Sequence, residues 1–287
     1  MTVKEIIVFL YKTSRPKFWS YTFGTFLVGY FLGINDADPK ELLDWRFIVF
    51  LVFFTFVANL FVYGVNDLAD EDTDKHNIKK VKQEHLLQTS QSGVLKYSII
   101  ATIFLSALIA FYIPNIRYWL IGFIILGASY SLPPLRFKMR PFIDSISNVF
   151  YLFPAVIGYL LNQEYLPSFW SWGYIFLFPI AMHLYSAIPD IDADKKAKLK
   201  TTAVIFGKDI SLVICNVIWL VFALMIIRTA NFFPWSLVLL VYPTLPLLNL
   251  NFKKFEIEKS YWFFPYINFL IGFGFSMLIV AKLYGLL

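Results

Sequence analysis

The chain is poor in cysteine, histidine and charge. Of its 287 residues, one is cysteine (Cys215) and three are histidine. A disulfide framework and a cysteine-based metal site are therefore excluded. No two histidines stand three or four positions apart, the spacing of a helical metal site. Charged residues make up 15% of the chain, against roughly 25% in soluble domains. This shortage excludes an ordinary soluble protein.

Hydrophobic residues, by contrast, make up 59% of the chain and aromatic residues 20%. They lie in runs of roughly 17 to 25 residues, the length that crosses a bilayer as a helix. The sequence predicts an all-α membrane protein, a single domain over 1–287 with nine transmembrane helices bundled around a central cavity. An amphipathic surface helix over 2–17 precedes them. The predicted spans are 18–34, 46–65, 94–113, 116–132, 142–161, 168–188, 209–229, 234–250 and 261–284.

Basic residues are distributed unevenly between alternate connecting segments. Of the 25 Lys and Arg, 19 lie in 1–17, 66–92, 133–141, 189–208 and 251–259. Segments rich in Lys and Arg stay on the cytoplasmic side of a membrane. We therefore expect a multi-pass protein of the cell inner (plasma) membrane, surrounded by membrane lipids, with a cytoplasmic amino terminus. The net charge of +6 is explained by this topology, so no nucleic-acid partner is expected.

Two acidic groups follow long apolar runs on the predicted cytoplasmic side. The first spans 66–74 (NDLADEDTD) and the second 190–194 (DIDAD). Asp70 and Asp74 stand 120 positions before Asp190 and Asp194, which suggests an internal repeat of 46–132 in 168–250. Carboxylates four apart share one face of a helix and repel each other. Cations are therefore expected between the pairs, and a hard oxygen donor set shared with a diphosphate suits Mg²⁺.

The acidic groups have two other interpretations. An EF-hand needs Gly at its sixth position and Glu at its twelfth. From Asp70 these positions hold Lys75 and Val81, and from Asp190 they hold Lys195 and Thr201, so a calcium loop is excluded. Either acidic group, taken alone, is also consistent with an ordinary solvated loop, and this second interpretation stays open. The matched spacing of the two groups favours a shared metal site.

A third polar segment, Tyr130–Lys138 (YSLPPLRFK), follows the fourth predicted span. Its two prolines cannot continue a helix, and Arg136 and Lys138 follow them. With Lys75 beside the first acidic group and Lys195 and Lys196 in the second, these cations could complete a cradle for diphosphate, and Arg136 and Lys138 are the better candidates. Alternatively, these basic residues only set the membrane topology and lie in an ordinary loop that follows the span.

Together these features resemble the UbiA superfamily of intramembrane prenyltransferases. The resemblance rests on NDxxDxxxD at 66–74, on DxxxD at 190–194 and on YSLPPLRFK, all on the inner side of a nine-span pattern, and it covers nearly the whole chain. It implies that the chain ionises an isoprenyl diphosphate bound through Mg²⁺ and transfers the prenyl group to a lipophilic acceptor.

Site residues follow from the resemblance. Asn66, Asp67 and Asp70 would hold one Mg²⁺, and Asp190 with Asp194 the other; Asp74 would orient ligands or accept a proton. The catalytic acids would thus be Asp70, Asp74, Asp190 and Asp194, and the residues binding diphosphate Tyr130, Arg136, Lys138 and Lys195. The family usually has lysine four positions after this tyrosine, where this chain has Pro134, so either Arg136 or Lys138 would act.

The acceptor is indicated by smaller details. The segments RPKFW at 15–19, YSAIPD at 185–190 and TTA at 201–203 resemble the branch that prenylates carotenoids such as lycopene. The first inner loop lacks the Arg-Pro…Gly element of the quinone and haem branches. Two alternative functions stay open: transfer to an aromatic acceptor in quinone biosynthesis, and terpene cyclisation. A membrane transporter is the alternative from another class, but the acids lie at the inner mouth and not at mid-span.

Overall fold

The computed structural model describes residues 1–34, 42, 44–70 and 87–287, and within them every regular element is helical. Of the residues that the sequence suggests for the site, Asp74 and Lys75 lie outside these ranges. In the described part of the chain the principal helices are α1 (Val3–Thr13), α2 (Phe23–Gly33), α3 (Trp45–Ala69), α4 (Thr89–Tyr112), α5 (Arg117–Ser131), α6 (Ile143–Leu160), α7 (Phe169–Lys196), α8 (Thr202–Thr229), α9 (Trp235–Asn251) and α10 (Ile257–Leu283).

Six of these helices are long and apolar enough to cross a membrane: α3, α4, α6, α7, α8 and α10. Helix α9 is apolar but shorter, and α2 and α5 have 11 and 15 residues. Each predicted span overlaps one helix from α2 to α10. The all-α, multi-spanning architecture is therefore confirmed for the described residues, whereas the count of nine spans stays a prediction.

The amino-terminal helix α1 begins with a capping box. The Thr2 N–H donates to Oε2 of Glu5 at 2.7 Å, and the Glu5 N–H donates to Oγ1 of Thr2 at 3.3 Å. These bonds satisfy two of the donors that a helix start leaves free. The apolar side chains of Val3, Ile7 and Tyr11 remain exposed, as the predicted surface helix requires.

Helix α3 contains a wide π turn over Phe53–Val57, and buried polar side chains satisfy its loosened backbone. Nδ2 of Asn59 donates to the Phe54 carbonyl at 2.9 Å and to Oγ1 of Thr22 at 2.6 Å. The Thr22 hydroxyl also donates to the Phe54 carbonyl, at 2.6 Å. Because lipid offers no hydrogen bonds, an irregular turn inside a membrane needs such partners. The same bonds fix the start of α2 against α3.

Glycines let α2 and α6 approach until their backbones touch. A Cβ atom on Gly29 would overlap the carbonyl group of Ala155. One on Gly158 would lie 2.6 Å from the Phe26 carbonyl oxygen, and one on Gly33 2.6 Å from that of Tyr159. Close packing at small residues is a main source of helix association in membranes. This contact fixes the position of one wall of the cavity described below.

Aromatic side chains fill two apolar clusters. The first lies among α2 to α6, where Phe26 packs against the rings of Phe47, Phe50 and Phe54. The second lies among α7 to α10, around the fully buried Trp219. Residues of both clusters also line a large internal cavity, so the two groups of helices form its opposite sides.

Candidate active site

The cavity has a volume of about 1820 Å³ and is lined by side chains of α2, α3 and α5 to α10. Its polar lining lies where α3 and α7 end. One to three turns earlier on the same helices the lining is mostly aromatic or apolar, with Tyr63, Phe178 and Met182, and includes the polar His183 and Ser186. The charged or amide groups lining the polar end include Arg15, Asn66, Asp70, Arg136, Lys138, Asp190, Asp194 and Lys196. The cavity therefore joins a charged mouth to a long apolar interior.

The first acidic group contributes Asp70, which directly follows the last residue of α3. Nη2 of Arg136 lies 3.1 Å from its Oδ1, and Nζ of Lys138 contacts its Oδ2. Nδ2 of Asn66 donates to Asp70 at 3.3 Å and to Oγ of Ser131 at 3.0 Å. Among the described residues on this side of the mouth, two cations thus face the Asp70 carboxylate.

Asp67 is in a different position. It is buried, its Oδ1 lies 2.7 Å from Nη2 of Arg15, and it does not line the cavity. Residues 66 and 70 are four apart and share a helix face, whereas the side chain of residue 67, about 100° around the helix from residue 66, is held by Arg15. The structure thus brings Asn66 and Asp70 to the cavity and places Asp67 in an ion pair behind them. Its predicted role as a metal ligand stays a prediction.

The second acidic group lies on α7, where the helix tightens to a 3₁₀ turn over Ile188–Asp190 and continues to Lys196. Asp190 and Asp194 line the cavity, whereas Asp192 between them is exposed and does not. Oδ2 of Asp194 accepts a hydrogen bond from Oγ1 of Thr201 at 3.2 Å. The i, i+4 spacing therefore brings this pair to the same cavity as Asn66 and Asp70.

Only some of the predicted phosphate-binding cations line the cavity. Arg136 and Lys138 line the cavity, and so does Lys196, but Lys195 is exposed and does not. Arg136 adopts a left-handed backbone conformation (φ 39°), and its N–H donates to the Leu132 carbonyl at 2.9 Å, which closes the turn after α5. Its Nε is buried with no hydrogen-bond partner among the described residues. A guanidinium with an unused donor at this mouth suits a phosphate oxygen.

Sequence reasoning did not place two further groups, of which Arg15 belongs to the cavity lining and Asp144 lies behind it. Arg15 lines the cavity, and its guanidinium lies 4.6 Å from the centroid of the Tyr63 ring. Asp144, fully buried at the start of α6, accepts from the N–H groups of Ser145 and Thr202, both at 2.7 Å. A single acid at the edge of an apolar run is the signal that could have found Asp144.

Whether these residues could hold Mg²⁺ depends on their donor atoms. The cavity presents the amide oxygen of Asn66 and the carboxylates of Asp70, Asp190 and Asp194, all hard oxygen ligands of the kind Mg²⁺ takes. Among the described residues no group of three or more His, Cys, Asp or Glu side chains converges on one point. Mg²⁺ usually uses one or two carboxylates together with substrate phosphates and water, so this donor set fits.

The sequence also matches a known protein family. The model for the UbiA prenyltransferase family matches residues 18–280. The chain belongs to this family. It is a prenyltransferase, as the three motifs predict.

Relatives of this UbiA prenyltransferase match it over nearly its full length. The chain is 35% identical to the lycopene elongase/hydratase of Haloarcula japonica over 98% of its own length and 95% of the relative's. Among solved structures it resembles a UbiA homolog from Archaeoglobus fulgidus bound to GPP and Mg²⁺, with a TM-score of 0.68 and 23% identity over 93% of this chain and 99% of that one. The same homolog bound to DMAPP and Mg²⁺ gives a TM-score of 0.70 at 19% identity, over 95% and 99%. At these identities the structures show the shared fold.

Proposed function

We propose that the enzyme transfers the prenyl group of an allylic prenyl diphosphate to the end of a carotenoid such as lycopene, with Mg²⁺ as cofactor. The observation that carries this proposal is the cavity itself, in which a mouth of acids and cations opens on an aromatic interior. The relatives named lycopene elongase/hydratase support the acceptor. The neighbouring structures with GPP or DMAPP and Mg²⁺ support the donor and the metal.

At the mouth, Asn66 with Asp70 would hold one Mg²⁺ and Asp190 with Asp194 the other. Bound there, Mg²⁺ supplies Lewis-acid stabilisation of the charge that the departing diphosphate acquires. Arg136 and Lys138, which hold Asp70 in this structure, would bind phosphate oxygens. Lys196 would add a third positive charge from α7.

In the interior, the enzyme must stabilise an allylic cation and keep water away from it until the acceptor attacks. Aromatic side chains of α3, α6 and α7 line this region, Tyr63, Tyr151 and Phe178 among them. An aromatic face stabilises a cation by roughly 0.5–2 kcal/mol, the upper end applying when water is excluded. The largely apolar wall also suits a hydrocarbon acceptor better than a polar one.

The second half of the relatives' name describes the fate of the acceptor. The allylic C–O bond breaks with its electron pair leaving on diphosphate, and the terminal C=C of the acceptor forms a C–C bond to the allylic carbon. The positive charge then lies on a tertiary carbon of the acceptor. Water adds there and loses a proton, which gives a tertiary alcohol, or a neighbouring C–H loses its proton, which gives an alkene.

Product analysis tests this function. Membranes containing the enzyme would be given Mg²⁺, dimethylallyl or geranyl diphosphate, and lycopene, 4-hydroxybenzoate or dihydroxynaphthoate. We expect prenylated lycopene, whose formation stops when EDTA removes the metal and resumes when Mg²⁺ is added back. A prenylated aromatic acid would move the enzyme to quinone biosynthesis. Release of diphosphate with no acceptor would indicate a cyclase. If no pair of diphosphate and acceptor gave metal-dependent release of diphosphate, the transporter would be the remaining interpretation.

We further propose that the whole chain is one catalytic domain with nine spans and a cytoplasmic amino terminus in the cell inner membrane. The test uses the Cys215→Ser background, in which Lys254→Cys lies in a predicted inner segment and Tyr165→Cys in a predicted outer one. Both native residues are exposed. An impermeant maleimide added to intact cells is expected to label the cysteine at 165 and not the one at 254. Labelling at position 254 and not at 165 would show that the topology is inverted. Equal labelling at the two positions would refute the count of nine spans.

A further inference from the structure

A cluster of polar side chains lies in the cavity wall beyond the charged mouth, and the proposed function leaves it unused. Oη of Tyr130 lies 2.8 Å from Nε2 of His183, and Oγ of Ser145 lies 3.2 Å from its Nδ1. Tyr130 and His183 both line the cavity. Ionisable side chains inside a membrane are costly and are retained mainly for function.

The hydrogen bonds restrict the cluster to two arrangements. In the first, Tyr130 donates to Nε2, so Nδ1 carries the ring proton and donates to Ser145. In the second, Ser145 donates to Nδ1, Nε2–H donates to Tyr130, and the tyrosine proton is free to bond a phosphate. In the first arrangement, His183 can accept a proton that reaches it from the cavity through Tyr130. In the second arrangement, Tyr130 is a phosphate ligand.

Ser145 is itself held in place by a buried acid. Its N–H donates to Oδ1 of Asp144 at 2.7 Å, and this fully buried carboxylate is also held by the N–H and the hydroxyl of Thr202. The Asp144 side chain therefore lies on the Nδ1 side of the imidazole, away from Tyr130. Tyr130 and Ser145 hydrogen-bond the two ring nitrogens of His183 and orient it, and Asp144 in turn holds Ser145.

The cluster also lies at the right depth. His183 precedes Asp190 by seven residues, which along a helix is about 10 Å towards the interior. If the leaving diphosphate is held at Asp190, as proposed above, the allylic carbon would lie just beyond it. After attack, the positive charge would lie on the acceptor carbon next to the one bonded, and an acceptor that extends into the cavity would carry this carbon towards His183.

We propose that Tyr130 and His183 form a proton relay that takes the proton from the water quenching this tertiary cation. This inference rests on the proposed function. The water oxygen forms a C–O bond to the cationic carbon and passes one proton to Oη of Tyr130, while the proton of Tyr130 passes to Nε2 of His183. The products are a tertiary alcohol and an imidazolium, which later releases its proton to solvent. Tyr130 is the catalytic residue of this step, and His183 acts through it.

The test compares products and not only rates. Tyr130→Phe removes the relay hydroxyl, and His183→Gln keeps a hydrogen-bond acceptor for Tyr130 but no base. Tyr159→Phe, which removes another hydroxyl of the cavity lining, is the matched control. Each variant would be assayed with lycopene and dimethylallyl diphosphate, with mass spectrometry of the hydroxylated and the dehydrated product and with KM for the diphosphate.

In both relay variants we expect the ratio of alcohol to alkene to fall about a hundredfold, the scale of a lost general base, with KM for the diphosphate unchanged. The double variant should show the same ratio as either single one, since the two act as a unit. A raised KM with an unchanged ratio in Tyr130→Phe would overturn the relay in favour of the phosphate arrangement. A native enzyme that makes only alkene would overturn the relay alone, and one that prenylates no carotenoid would overturn the proposed function with it.

Discussion

Replacing Asp190 with asparagine is expected to lower turnover of the prenyl diphosphate about a thousandfold, or about 4 kcal/mol in the barrier. The carboxylate lines the charged mouth on α7. It would contribute negative charge to a Mg²⁺ that stabilises the leaving diphosphate, and an amide of the same shape contributes none. The measurement is single-turnover release of diphosphate at saturating Mg²⁺.

The chain offers a matched control two residues away. Asp192 lies on the same helix but is exposed and does not line the cavity. Asp192→Asn should therefore keep turnover within about twofold of the native enzyme, the scale of a surface substitution. Both variants should insert in the membrane in equal amounts, because neither side chain belongs to an apolar cluster. Equal activity of the two variants would refute the assignment of Asp190 to the metal site.

Replacing Gly29 with alanine is expected to lower the free energy of unfolding by about 3 kcal/mol. The added methyl group would overlap the carbonyl of Ala155, so the backbones of α2 and α6 must separate. The whole contact between two helices is disturbed, and not one side chain. Thermal unfolding of the purified enzyme in detergent, followed by circular dichroism, measures the change.

Gly24 provides the comparison, since it lies on the same helix with open space where a Cβ would stand. Alanine has the higher helix propensity, so Gly24→Ala should leave the unfolding temperature unchanged or raise it. If Gly29→Ala unfolded at the same temperature as Gly24→Ala, the close approach of the two helices would be wrong.

Much of the architecture could be predicted because its causes are local in the sequence. Apolar run length predicts helices that suit a bilayer, and each predicted span overlaps a helix of the structure. The four-residue spacing of Asp190 and Asp194 predicts their shared face, and both line the cavity. The same reasoning correctly pairs Asn66 with Asp70, because they too are four apart.

Other features depend on contacts between distant segments, which a pattern does not contain. Asp67 looks like Asp70 in sequence, yet Arg15 from the segment before α2 takes its carboxylate. Lys196, not its neighbour Lys195, lines the cavity, because the direction of each side chain depends on how α7 emerges from its 3₁₀ turn. The π turn of α3 gives no signal of its own, since the Thr22 and Asn59 side chains that satisfy it are 37 positions apart.

The ion pairs of Asp70 have a thermodynamic consequence for substrate loading. While Arg136 and Lys138 hold this carboxylate, a metal ion must compete with two positive charges for it. In the proposed site, a diphosphate that draws these cations to its own oxygens would free the carboxylate for the metal, and the bound metal would in turn strengthen the hold on the diphosphate. Such linkage is reciprocal. Each ligand would therefore raise the affinity for the other, so we expect metal and diphosphate to bind together and either one to bind weakly when it is alone.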